Sequence, residues 1–276
     1  MFVFTKNYLY YSTVDVFILK LIFSFIVGSI WITYATILAE KFGSKIGGVL
    51  AGMPSTVVIA LFFIGWTQNP LAASQATTMV PVVMGISAIF IVIYALLSRF
   101  NFILAIVISL AVWFVLALTL VANKFDNFSL SLICFVILLA FSYLMVEHVF
   151  QIKSMKGQKY TAYFNNLVVR GLLSGSVIVV AVLGAKFGGP LVGGAFASFP
   201  AVMLATIIIT HLAQGRTFSL AVIKTLMLSG CTNVVIYATV VRYFYPLFGL
   251  ILGTVLSFLL SLVLIYFVYQ GIKRTA

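Results

Sequence analysis

The sequence predicts an all-α polytopic membrane protein with about nine transmembrane helices, arranged as two inverted four-helix repeats joined by a connecting helix. Hydrophobic residues make up 64% of the chain and charged residues only 7%, whereas soluble domains carry about a quarter charged residues. The apolar segments are long enough to cross a hydrocarbon core as helices, which takes roughly 20 residues. They lack the two-residue alternation of β-barrel strands, so we expect helices throughout.

Nine hydrophobic segments can be placed, each ended by the Gly, Pro, Asn or Lys residues that form loops. They cover residues 16–39, 46–66, 74–98, 102–122, 129–149, 166–185, 190–212, 217–243 and 246–269. The first 15 residues are polar and aromatic and add no tenth span. On this division residues 1–127 form repeat 1, residues 128–160 hold the connecting helix and a basic loop, and residues 161–276 form repeat 2.

The basic residues predict the orientation, because cytoplasmic loops are enriched in lysine and arginine. One set of loops, with the C-terminus, carries Lys41, Lys45, Arg99, Lys153, Lys156, Lys159, Arg216, Lys273 and Arg274. The opposite loops carry Lys6, Lys20, Lys124, Lys186 and Arg242. We therefore expect an inner or plasma membrane protein with a cytoplasmic C-terminus and an outside N-terminus. Arg170 and Lys224 are expected to extend toward the richer interface.

A sequence phrase recurs about half the chain length apart. Lys41-Phe42-Gly43 returns as Lys186-Phe187-Gly188. After one inserted residue, Gly47, Gly48, Ala51 and Pro54 match Gly193, Gly194, Ala197 and Pro200, and Tyr94, Ala95 and Arg99 match Tyr237, Ala238 and Arg242. Five spans separate the starts of the two copies, so equivalent helices run in opposite directions, as in the inverted repeats of many transporters.

Each copy resembles the GlpM-like family of small four-helix inner-membrane proteins. The residues that carry the resemblance are Lys41, Gly48 and Pro54-Ser55-Thr56 in the first copy, and Lys186, Gly194 and Phe199-Pro200 in the second. Met53 departs from the aromatic residue before the first proline, and Ala201 departs from the hydroxyl residue after the second. The resemblance implies a fused duplication of a four-helix unit and says little about a substrate.

The two prolines predict the position of a central site. Pro54 and Pro200 lie roughly 12–15 Å into their spans at 1.5 Å per residue, which is near the midplane. A proline inside a helix frees the carbonyl four residues before it, here those of Leu50 and Phe196. Two bent helices entering from opposite faces would meet at the centre, where discontinuous helices of transporters bind substrate.

Polar residues near these bends complete the candidate substrate site. They are Ser55, Thr56, Ser198, Asn233 and the matched tyrosines Tyr94 and Tyr237. An amide inside a span needs partners, so Asn233 serves either a ligand or an interhelical hydrogen bond. The hydroxyls can also bond their own helix backbone.

The glycines of the repeated phrase have a packing interpretation. Small residues at four-residue spacing let membrane helices approach closely, and they are Gly47, Gly48, Gly52, Gly193 and Gly194. Packing alone is therefore an alternative to a central site for the whole phrase.

Several classes of function are disfavoured by what the sequence lacks. Its acidic residues, Asp15, Glu40, Asp126 and Glu147, all lie near span ends, with Glu147 expected in solvent beside a cytoplasmic loop. No residue set suits metal binding or acid–base catalysis, so we expect no enzyme, metal or cofactor. The net charge of +12 comes from loops and indicates the lipid bilayer, not nucleic acid, as partner.

The sequence therefore predicts a transporter or facilitator of a small neutral or anionic solute, with alternating access from one repeat rocking against the other. Two alternatives stay open at this point. One is a non-transporting membrane scaffold or assembly protein, and the other is a narrow anion channel. The sequence gives no oligomeric state.

Overall fold

The computed structural model describes residues 2–41, 54–152 and 164–275. Within these residues the chain is helical and contains no strand. The helices are α1 (Phe2–Lys41), α2 (Ser55–Thr67), α3 (Pro70–Ala76), α4 (Val80–Leu97), α5 (Phe102–Ala122), α6 (Phe128–Leu144), α7 (Phe164–Gly188), α8 (Pro190–Ala197) and α9 (Ala201–Thr275). One π-helical turn, Met145–Val149, extends α6. The predicted all-α class is confirmed.

Helix α9 is three helices in succession. Its 75 residues would extend on the order of 110 Å as one rod, far more than a bilayer core of about 30 Å. Gly215 and Gly249, with φ of 80° and 71°, interrupt it in the left-handed region that glycine tolerates best. We call the resulting segments α9a (201–214), α9b (216–248) and α9c (250–275). The interruptions lie close to the predicted ends of spans seven and eight.

Long apolar helices make this a multi-pass membrane protein. Six runs among the described residues have the length and hydropathy to cross a membrane: Val16–Tyr34, Val80–Leu97, Phe102–Ala122, Phe128–Val149, Leu167–Gly188 and Pro190–Leu264. The last run contains α8 and most of α9, so it accounts for more than one crossing. The shorter Ser55–Thr67 is also apolar.

Lysine contacts define one end of the helix bundle, which we call the Trp66 face. The Lys20 ammonium donates to the Trp66 carbonyl at 2.7 Å, which joins the first part of α1 to the end of α2. The Lys186 ammonium lies 5.4 Å from the centre of the Phe17 ring, which places the end of α7 at the same level. These lysines belong to the group that the sequence predicts on one side.

Another set of contacts defines the opposite end, the His211 face. The rings of Phe102 and His211 stack with centroids 4.0 Å apart, which joins the start of α5 to the end of α9a. The Arg216 guanidinium donates to the Ala95 carbonyl at 3.1 Å and to Ser98 Oγ at 3.0 Å. The ends of α4 and α9a and the starts of α5 and α9b therefore share this face.

Helices α1 and α7 occupy the same place in the two copies and run antiparallel. The rings of Phe17 and Phe187 meet edge to face with centroids 6.4 Å apart. Twelve residues later on α1, Ser29 packs against Gly175, so closely that a methyl group there would overlap the serine hydroxyl. Because the residue numbers increase along α1 while those of the contacting residues on α7 decrease, the equivalent helices point in opposite directions.

Burial separates a central helix from peripheral ones. Fourteen of the 18 residues of α4 are buried, but only four of the 21 residues of α5. Large apolar side chains on α1, α5, α6 and α9c are exposed, including Ile30, Ile103, Val136 and Ile251. A surface of this kind is suited to lipid, which supports bilayer contact at the periphery.

The buried apolar residues form two clusters. The α4 cluster joins α4 to the inner faces of α5, α6, α9a and much of α9b. The α2 cluster joins α2 to α1, α3, α7 and the later part of α9b. Each cluster therefore combines helices from both copies of the repeat.

Candidate functional site

Both repeated prolines stand immediately before a helix. Pro54 precedes α2, and its carbonyl accepts the Val58 N–H at 2.9 Å. Pro200 precedes α9a, and its carbonyl accepts the Leu204 N–H at 2.8 Å. The prediction that the prolines lie inside bent helices is therefore wrong. Proline disfavours helical geometry in the residue before it, so the chain starts a new helix at this point.

The turn before Pro200 satisfies the carbonyl that the sequence predicts to be free. Helix α8 ends at Ala197, and the Phe196 carbonyl then accepts the Phe199 N–H at 3.0 Å. The predicted release of this carbonyl is therefore wrong. The Ser198 hydroxyl donates to the Gly194 carbonyl at 2.9 Å, within its own helix. Leu50, the matching position in the first copy, lies outside the described residues.

The two helix starts line one cavity, which we call the central cavity. With the open solvent at its mouth included, it encloses about 480 Å³ of space not filled by protein. The lining residues are Pro54, Ser55, Thr56 and Val57 before and on α2, Met84 on α4, Ala197, Phe199, Pro200, Val202 and Met203 around the second break, and Leu226, Gly230 and Val234 on α9b. The structure thus brings both prolines together, as the repeat predicts.

Polar groups of the central cavity are concentrated at the start of α2. None of the described lining residues is charged, and most are aliphatic or methionine. Thr56 is 7% exposed, and its hydroxyl has no hydrogen-bond partner among the described residues. A buried hydroxyl without a partner costs about 1–3 kcal/mol, which marks Thr56 as a group available to a ligand.

Five described residues of the predicted site lie outside this lining: Phe196 and Ser198 at the end of α8, and Tyr94, Tyr237 and Asn233. The Tyr94 hydroxyl is at the His211 face, 2.8 Å from His211 Nδ1 and 3.3 Å from Ser219 Oγ. Tyr237 is fully buried in the α2 cluster, so the matched tyrosines occupy separate regions. Asn233 is buried on α9b beside the lining residue Val234.

A family model matches residues 21–125 and again residues 167–273. The chain belongs to the DUF3147 family. That family is described as a protein of unknown function. The two matches correspond to the two repeats and omit α6, so the chain contains two DUF3147 copies by internal duplication. No curated protein and no solved structure matches the chain.

Two of the predicted packing glycines allow close helix contacts, and one of these contacts joins the two DUF3147 copies. A methyl group at Gly194 would overlap the carbonyl oxygen of Ala76, and one at Gly193 would overlap the side chain of Ala185. The first contact joins α8 of the second copy to α3 of the first. Gly47, Gly48 and Gly52 lie outside the described residues.

Several lining residues of the cavity escaped the sequence-based prediction. Leu226, Gly230 and Val234 lie four residues apart on α9b, so they share one helix face, and the glycine leaves space at its centre. This spacing was a usable signal. The sequence contained no signal that would single out Met84 and Met203, because methionine is common in apolar helices.

Two basic residues predicted to extend toward the interface instead make specific interhelical contacts. Lys224 is 7% exposed, forms an ion pair with Glu147 and donates to the Ile152 carbonyl at 2.6 Å. Glu147, on the π-helical turn at Met145–Val149, keeps 37% of its side chain exposed, so it is both ion-paired and partly in solvent. Arg170 Nη2 donates to Thr206 Oγ1 at 2.9 Å, one helical turn from Val202.

The described residues contain no group of three or more His, Cys, Asp or Glu side chains that could hold a metal ion. The described lining of the central cavity offers hydroxyl groups, backbone groups and apolar surface. Such a lining can bind and orient a small molecule.

Proposed function

We propose that the protein is a membrane transporter or facilitator of a small neutral or anionic solute, with its site in the central cavity. The observation that carries the proposal is the meeting of two helix starts, one from each repeat, in one cavity. In transporters built from inverted repeats, discontinuous helices bind substrate where the repeats meet. The resemblance of each copy to GlpM-like proteins remains a prediction and contributes only to the architecture.

The depth of the cavity supports this proposal. Helix α8 begins at Pro190, just after α7 ends at the Trp66 face, and Pro200 follows ten residues later. At 1.5 Å per residue this is roughly 15 Å, half of a hydrocarbon core of about 30 Å. A site at the midplane is where alternating access requires it.

The orientation belongs to the same proposal. In it the His211 face and the C-terminus are cytoplasmic, and the Trp66 face and the N-terminus are outside. Its support is the larger share of lysine and arginine in loops predicted on the His211 side. The membrane would be an inner or plasma membrane.

Solute uptake into proteoliposomes tests the proposal. The probes are urea, glycerol, nitrate and acetate, with liposome shrinkage and recovery followed by light scattering. A leucine at Gly230 would project into the cavity, because a Cβ there meets only the Leu226 side chain, at 3.3 Å. We expect Gly230→Leu to abolish permeation of the transported probe and Gly230→Ala to retain most of it.

Other outcomes would favour the alternatives. Permeation that survives Gly230→Leu, or survives Pro54→Ala, Pro200→Ala and Asn233→Leu combined, contradicts the central site. Folded protein that moves no probe favours the scaffold. Ohmic currents across a voltage ramp, without saturation, favour an anion channel.

A further inference from the structure

We infer that the solute is a small organic anion, with its charged group held at the starts of α2 and α9a and its apolar body against the cavity wall. The inference rests on the proposed function, because it names the solute class of the same site. It is carried by the capping of these helices, the hydroxyl of Thr56 and the chemistry of the lining.

The two helices that start at the central cavity follow a residue without a capping side chain, and α4 and α8 also lack a side-chain cap, whereas three other helices have one. Helices α3, α5 and α6 each begin with an asparagine, whose side-chain oxygen accepts a backbone N–H at 2.8–2.9 Å. Asparagine is among the best residues for this role. Helices α2 and α9a begin with proline, whose side chain has no acceptor, and α2 has no side-chain cap.

The first turns of α2 and α9a therefore present N–H groups to the cavity. The first hydrogen bonds within these helices are donated by the N–H groups of Val58 and Leu204. The N–H groups of the residues just before Val58 and Leu204 therefore have no acceptor within their own helix. Thr56, Val57, Val202 and Met203 at these positions all line the cavity. Helix N-termini favour anions through these groups and through the helix dipole.

A second and independent observation is the Thr56 side chain. Its hydroxyl is buried at the cavity wall without a partner among the described residues. A hydroxyl can donate to an anionic oxygen, and hydrogen bonds to charged groups contribute about twice as much as neutral ones. An anion would satisfy the hydroxyl and the helix N–H groups together.

The electrostatic surroundings agree with an anion. No acidic side chain is among the described lining residues. The Arg170 guanidinium donates to Thr206, one turn along α9a from Val202. A cation held on the first turns of α9a favours a negative charge at the start of that helix, most strongly in a low-dielectric interior.

The rest of the cavity is suited to hydrocarbon. Met84, Met203, Leu226 and Val234 supply its wall, and methionine adapts to irregular ligand shapes. An inorganic anion would leave this surface without contacts. A short carboxylate fills both parts, with its charge at the helix starts and its methylene groups against the wall.

Ligand-induced stabilisation of the purified full-length protein tests the inference. The probes are acetate, propionate and butyrate, with butyramide as the neutral analogue of butyrate, and the readout is the thermal unfolding midpoint against concentration. We expect binding by the carboxylates, tightening about fourfold per added methylene, and no saturable binding by butyramide. Equal stabilisation by butyrate and butyramide would overturn the inference.

Variants at Thr56 locate the binding. Thr56→Val keeps the shape of the side chain but removes the hydroxyl, so butyrate affinity should fall about tenfold, while Thr56→Ser should stay within about twofold. Because the hydroxyl has no partner, Thr56→Val should fold at least as well as the parent. Gly230→Leu gives a second variant, which should abolish butyrate binding. Unchanged affinity in Thr56→Val would contradict the site.

The two proposals fail in different ways. If urea or glycerol permeates through the central cavity while carboxylates neither bind nor permeate, the anion assignment is wrong and the transport proposal stands. If butyrate binding depends on Thr56 but no probe crosses the membrane, the anion site is supported and the transport proposal is contradicted.

Discussion

Each copy contributes one proline to the lining of the central cavity, but the third spans of the two copies are built differently. In the first copy a turn at residues 77–79 separates α3 from α4, and in the second the matching stretch is the uninterrupted α9b. After that turn, the Val82 N–H donates to Ser131 Oγ of the connecting helix at 3.0 Å. The copies therefore share a proline at the cavity and diverge at the turn that contacts α6.

The strongest test of the comparison is whether the copies are inverted in the membrane. Single cysteines at positions 41, 157, 186 and 274, in a Cys134→Ser/Cys231→Ala background, can be labelled by an impermeant maleimide. We expect an all-or-none pattern, with position 186 labelled from the side opposite to 41, 157 and 274. Labelling of 41 and 186 from the same side would refute the inverted arrangement.

Gly194→Ala should have the next largest effect, because it separates the copies at a backbone contact. The added methyl group would overlap the Ala76 carbonyl, and backbone yields less than a side chain, so we expect a loss of about 3 kcal/mol. Thermal unfolding in detergent measures it. Gly230→Ala is the control, since its methyl meets only a side chain, and it should cost under about 1 kcal/mol.

Breaking the pair between Lys224 and Glu147 should have an intermediate effect. The pair joins the second copy to the connecting helix, and its side chains are 9% and 37% exposed, so screening reduces the cost below that of a fully buried pair. We expect Glu147→Gln to cost about 2 kcal/mol because it leaves the buried ammonium without its carboxylate. The double variant with Lys224→Met should cost less than Glu147→Gln alone, and a strictly additive result would contradict this account.

Tyr94→Phe should have the smallest effect. It removes the hydroxyl that binds His211 and Ser219, so we expect a loss of about 1 kcal/mol in the free energy of unfolding. Tyr243→Phe, at an exposed position, should change stability by less than about 0.5 kcal/mol. Lost solute permeation in Tyr94→Phe at normal stability would instead place Tyr94 in the transport path.

Hydropathy alone predicted some of the helix positions, and the turns at residues 77–79 and 198–200 interrupt two of the predicted spans. The predicted spans 102–122 and 129–149 coincide with α5 and with α6 plus its π-helical turn to within one residue. The repeat also located the cavity, since equivalent prolines in antiparallel copies must meet at the centre. These features depend on local composition and on chain symmetry, both of which are present in the sequence.

The geometry of the site was less predictable because it depends on tertiary contacts. Pro200 could bend a helix or begin one, and only the turn after Ala197 decides between them. Tyr94 matches Tyr237 in the repeat, yet each is buried in a different cluster. Lys224 looks like a span-end residue until the π-helical turn places Glu147 beside it.

The mixed make-up of the two clusters has a consequence for the repeat itself. Helix α2 is buried against helices of both copies, and α9a of the second copy is buried against α4 of the first. Neither copy therefore has a complete buried core of its own. A chain with one copy could bury these surfaces only by pairing with a second chain in the opposite membrane orientation. Any movement that opens the cavity must likewise separate the clusters, and each moving body would carry parts of both halves.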